Sequence, residues 1–186
     1  MENSANKTKI SSLQKINKLT GVNCSIGATA LNGYKQFLLL CSLNTRSVCN
    51  KTDHILDYVC DCKADLLAFR QTWLTREDSA VRVNLCPGGY KFIHQCRAGR
   101  CGGGTGLMFC DLLNVKKVDR GEHDSYEFLE WLVSKSSSNK LRVDIIYRPP
   151  YTEEHPMTVT NFCNEFARYM ESLLLSKEQL VMLSCG

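Results

Sequence analysis

Four short stretches of this sequence put amides, hydroxyls and guanidinium groups where apolar runs end. They are LNTRS at Leu43–Ser47, RQTWL at Arg70–Leu74, GGGTG at Gly102–Gly106 and YRPP at Tyr147–Pro150. Polar residues that follow buried strands commonly line a site at one edge of a sheet. Each stretch alone also has a plainer reading. Asn44 suits a turn, Trp73 suits a core, and the glycine run suits a tight hairpin. That run lacks the Lys-Ser/Thr ending of a phosphate-cradling P-loop and leads into a strand rather than a helix. Two metal-like groupings, Cys60-x-Cys62 and His94-x-Cys96 followed by Cys101, lack the paired C-x-x-C spacing of a zinc knuckle, so zinc is not expected.

The elements that must position these stretches follow from periodicity. Tyr34–Leu43 reads as a strand, and Lys51–Ala64 as a helix with Thr52 as N-cap and Ile55, Leu56, Val59 and Cys60 on one face. Asp65–Phe69 is a short buried strand. Residues 89–96 and 104–111 are two strands joined by the glycine-rich connection RAGRCGG. SYEFLEWLVS and LRVDIIY continue the strands, with Asp144 expected on an exposed face. The polar stretch DRGEHDSY, which contains His123 and Asp124, reads as a solvated loop. From Val159 the spacing of Phe162, Phe166, Met170 and Leu173 is helical, with Thr158 or Thr160 able to cap. A last apolar run, Leu180–Leu183, closes the series as a strand. Antiparallel hairpins amid βαβ-like units predict mixed sheets with helices packed outside.

Composition narrows the class further. The chain has 186 residues, 44% hydrophobic and 23% charged, as an ordinary globular domain does. No apolar segment reaches the roughly 18 residues a membrane crossing needs, and no secretory leader is visible, so an intracellular protein, cytoplasmic or nuclear, is expected. The 11 cysteines are then expected as reduced thiols. Lys7, Lys9, Lys15 and Lys18 against Glu2 give residues 1–20 a charge of +3 out of the total of +4. Residues 1–33 are expected to form a loosely ordered basic segment, and 34–186 a single domain.

The order of the motifs is more specific than any one of them. SLNTRSVCNKTDHILDYVCDCKADLLAFRQTWL, then a glycine triplet entering a strand, then SYEFLEWL, then IIYRPP, resembles the endonuclease domain of non-LTR retrotransposons. That domain belongs to the endonuclease/exonuclease/phosphatase superfamily, with apurinic endonucleases and pancreatic deoxyribonuclease. The resemblance covers about residues 34–186. It implies a four-layer α/β sandwich of two mixed β-sheets flanked by helices. It also implies Mg²⁺-assisted phosphodiester hydrolysis, with DNA as partner and no small-molecule cofactor. By the same resemblance Asn44 matches an Asn near the metal, Arg46 and Ser47 the residues after it, and Tyr147 and Arg148 the site-facing Tyr-Arg pair. Glu127 matches a position often filled by Glu.

Two departures alter what the resemblance implies. Gln71 stands where the family has its metal-binding Glu, so the hard cation loses a charged ligand, and Arg70 adds a positive charge beside it. The family's Asp-x-Asn and Asp-His motifs are also missing before Gly186, so the domain is expected to be incomplete at its C-terminus. The expected function is therefore an endonuclease-like domain fragment with impaired or absent catalysis. A non-catalytic nucleic-acid-binding or interaction module is the alternative.

Overall fold

Leu66–Arg70 is an apolar run capped by one arginine, and all five residues are buried, which marks a strand covered on both faces. It is the third strand, β3, of the computed structural model, which describes residues 23–30, 37–96, 103–135, 140–149 and 157–185. The basic residues 1–22, most of the RAGRCGG connection, Cys101, Pro150 and Gly186 lie outside the described residues. Two compact units divide at Leu112/Leu113.

The first unit carries a five-stranded sheet in the order β1-β2-β3-β5-β4. Its strands are β1 (Asn23–Ala30), β2 (Phe37–Asn44), β3, β4 (Tyr90–Gln95) and β5 (Thr105–Cys110). β2 and β3 are parallel and the other pairs antiparallel, so the sheet is mixed. The crossover between the parallel strands is α1 (Thr52–Cys62), and a short α2 (Ser79–Leu85) follows β3. Both helices cover one face, where Ile55, Tyr58, Val59 and Leu85 pack on Cys41, Leu43, Leu67, Phe69 and Met108.

Several expectations change here. β1 lies within the segment expected to be loosely ordered; it hydrogen-bonds along the whole of β2, register Asn23↔Asn44 to Ala30↔Phe37. The buried face of α1 is Ile55, Tyr58, Val59 and Cys62, an i, i+3, i+4, i+7 stripe, and Cys60 is exposed. Lys51 occupies the N-cap without a side-chain capping bond. Thr52 instead donates its hydroxyl to the Val48 carbonyl at 3.2 Å.

The second unit carries a four-stranded sheet in the order β6-β7-β8-β9. Its strands are β6 (Asn114–Glu122), β7 (Glu127–Ser134), β8 (Lys140–Tyr147) and β9 (Gln179–Cys185). Only β8 and β9 are parallel, and α3 (Val159–Leu174) makes the crossover between them. Thr158 caps α3 by accepting a hydrogen bond from the Asn161 N–H at 3.2 Å. The helix lays Phe162, Phe166 and Tyr169 around Tyr126, with Tyr169 also against Phe128. Part of the stretch expected as a loop, Asp119–Glu122, belongs to β6, while His123 turns back to pack on Tyr126.

Asp144 is not on an exposed face. It is fully buried, directly opposite Glu130 in the β7–β8 ladder. Arg142 pairs with Glu130 at 2.7 Å. The Arg142 charge also acts on Asp144, but burial together with the Glu130 charge outweighs it and pushes the Asp144 carboxyl up to about 7.

Candidate functional site

Asn44 ends β2, Arg70 ends β3 and Thr105 begins β5, and these residues are register partners in one row across the first sheet. Strand alternation sets that row apart from the helix-covered residues Leu43 and Phe69. Beyond the row, the chain segments are laced together by main-chain hydrogen bonds. Thr45 N–H donates to Arg70 O at 3.0 Å, Ser47 N–H to Gln71 O at 2.7 Å and Val48 N–H to Thr72 O at 3.1 Å. On the other side, Thr72 N–H donates to Gly104 O at 3.2 Å and Trp73 N–H to Gly103 O at 2.9 Å. The buried Thr45 hydroxyl lies 2.9 and 3.1 Å from the Arg70 and Gln71 carbonyl oxygens, to which it donates. Three of the four polar stretches singled out in the sequence therefore form one ledge.

The ledge holds an unusual backbone. Arg46, Ser47, Gln71 and Trp73 have φ of 44°, 79°, 53° and 55°, a left-handed conformation that costs a residue with a Cβ about 1–2 kcal/mol. Such outliers persist where surrounding bonds over-determine them, and they cluster at functional sites. Trp73 is half exposed rather than in the core. The Ser47 hydroxyl accepts from the Cys49 N–H at 3.4 Å. Arg46 is exposed, and Lys51 reaches back to donate to the Thr45 carbonyl at 2.6 Å. Burial and the Arg46 charge together lower the Lys51 pKa.

Thr72 and His94 meet at 2.9 Å between the Thr72 hydroxyl and Nε2. Burial, reinforced by the Arg82 charge, takes the His94 imidazole down to about 4, so it is neutral at physiological pH. Sequence reasoning weighed His94 only as a metal ligand. Its place on the helix-covered face was legible in the period-two run of Tyr90, Phe92 and His94.

Tyr147 and Arg148 belong to the second unit. Tyr147, 5% exposed, ends β8 beside Glu127 across the ladder. The Arg148 guanidinium lies 5.1 Å from the centre of the Phe162 ring, an interaction within the unit. Pro149 is half-buried after it.

The donors on the ledge are a poor match for a hard divalent cation. Asn44 and Gln71 offer neutral amide oxygens, no carboxylate accompanies them in the row, and Arg70 supplies a positive charge. Among the described residues no three His, Cys, Asp or Glu side chains are grouped to hold a metal.

No protein-family model and no curated protein matches the chain. Solved structures do. The endonuclease domain of TRAS1, a telomere-specific non-LTR retrotransposon, superposes with a TM-score of 0.52 at 9% identity, over 76% of this chain and 55% of that one. An AP endonuclease from Leishmania major gives 0.52 at 12% identity, over 89% and 57%. A mannosyl-6-phosphatase from Bacteroides thetaiotaomicron gives 0.50 at 12% identity, over 72% and 55%. The chain thus spans a little over half the length of these structures. At such identities the likeness is one of fold alone: mixed β-sheets with flanking helices, as in deoxyribonuclease-like α/β proteins.

Proposed function

We propose that this is an endonuclease-like domain of non-LTR retrotransposon descent, which holds DNA through its phosphates and is impaired in metal-dependent cleavage. The observation that carries the reading is Gln71. It sits on the ledge with Asn44, in the position the motif order gives to a metal-binding Glu, with the Arg70 guanidinium adjacent in sequence. An amide in place of a carboxylate removes the charge that a hard cation requires. The exposed Arg46 and the neighbouring Lys51 remain suited to phosphate. The order and spacing of the motifs support the descent, and a retrotransposon endonuclease domain is among the proteins of like fold.

Supercoiled plasmid tests this in one assay. With Mg²⁺ or Mn²⁺ the chain is expected to leave the plasmid unnicked, yet to retard it in a gel in a manner that weakens as salt rises. Metal-dependent nicking that disappears in Asn44→Ala would overturn the impairment, and plasmid that runs unretarded at low salt would overturn the DNA partner.

A further inference from the structure

Arg70 is the most anomalous side chain in the first unit. It is 1% exposed, and its Nε and Nη1 atoms have no hydrogen-bond partner among the described residues. No carboxylate among those residues pairs with it. Arginine cannot shed its proton to escape burial, as lysine can. A buried guanidinium without a counter-charge is strongly destabilising, and a negatively charged group brought to it removes that cost. The neighbours in the row, Asn44 and Thr105, bring no charge of their own. The row and the segment just beyond it meet solvent, since Asn44 in the row and Gln71 after it are only half-buried. The field there is positive: the Arg46 charge, after burial, disfavours the charge on Lys51.

We infer that Arg70 makes the end of this sheet an oxyanion site, so that a fixed guanidinium holds a phosphate group at the position where the motif order would place a divalent cation. The planar fork of N–H donors suits two oxygens of one phosphate, and buried charge-assisted bonds of that kind are strong. The inference deepens the proposed function by naming what the degenerate metal position binds. It rests on that reading only for the phosphate's natural source, a nucleic-acid backbone.

The test uses inorganic phosphate with the full chain and no nucleic acid, at constant ionic strength. The Arg70 Nε–H resonance, assigned through its own side-chain correlations in the unmodified chain, is expected to shift and to exchange more slowly with water as phosphate is added. Mn²⁺ is expected to leave the backbone amides of Asn44 and Gln71 unbroadened. Arg70→Gln is expected to weaken phosphate binding about tenfold or more. An Arg70 resonance indifferent to phosphate, or broadening by Mn²⁺ in the unmodified chain, overturns the proposal, and neither result depends on a variant folding. Phosphate at Arg70 in a chain that ignores plasmid DNA leaves the site standing and removes the nucleic-acid reading. DNA retained with an unmoved Arg70 resonance does the reverse.

Discussion

At the end of the central strands, side-chain identity is dictated by backbone demands as much as by chemistry. Gly104 has φ of +81°, and a Cβ there would stand 2.8 Å from the Thr72 hydroxyl, which is itself tied to His94. An alanine must accept the left-handed backbone and push against a buried partner together. Gly104→Ala is therefore expected to destabilise the fold by about 2–3 kcal/mol, read as a lower denaturation midpoint at unchanged slope. Gly89, also left-handed at φ +83°, has nothing within 4 Å of where a methyl would stand, so Gly89→Ala should cost the backbone strain alone. Arg70 shows where sequence reasoning stopped short at this scale. A charged residue closing the run LLAFR reads as the solvent end of a strand, and its full burial depends on non-local packing that no local pattern encodes. The glycine turn entering β5 was legible, because turn chemistry is local.

Elements were legible in proportion to their burial. β3, β5, β7 and β8 announce themselves as apolar runs, since each buries most of its length. β6 does not: NVKKVDRGE is mostly exposed, with two lysines and an arginine, as an edge strand that discourages further pairing would be. Without a buried face it has no hydrophobic alternation to read. Helix starts separate two threonines that look alike in sequence. Thr158 sits at an extended φ, ψ of −71°, 161° and accepts the Asn161 N–H, whereas Thr52 lies inside its helix and donates to Val48. Thr158→Ala is accordingly expected to cost about 1 kcal/mol of stability, and Thr52→Ala less. Urea titration of the two variants side by side, followed by helical circular dichroism, checks the order, and a larger loss for Thr52→Ala would refute the assignment of caps.

The whole molecule joins two units whose buried ionisable groups respond to pH with opposite sign. In the first unit, burial holds His94 at about 4, below the ordinary 6.5, so between those values the unfolded chain binds the proton and the folded one does not. Stability there rises with pH across that window and is lost on acidification. In the second unit, burial and Glu130 raise Asp144 from 3.8 to about 7, so the folded chain keeps a proton that the unfolded one releases. Stability there falls as pH rises from about 4 to 7. Solvent screening holds each contribution to about 1–2 kcal/mol, and over their shared range the two nearly cancel. The unmodified chain should therefore show a shallow profile between about pH 4 and 6.5, with slopes uncovered by substitution. Asp144→Asn leaves the His94 dependence, so stability should climb with pH and exceed that of the unmodified chain at pH 8 by about 1–2 kcal/mol. His94→Gln leaves the Asp144 dependence, so stability should fall monotonically. Amide exchange localises the effect, with protection lost first in residues 37–96 at pH 4.5 and first in the second unit's strands at pH 7.5. Profiles that stay parallel to the unmodified chain in both variants would show that neither group governs its unit.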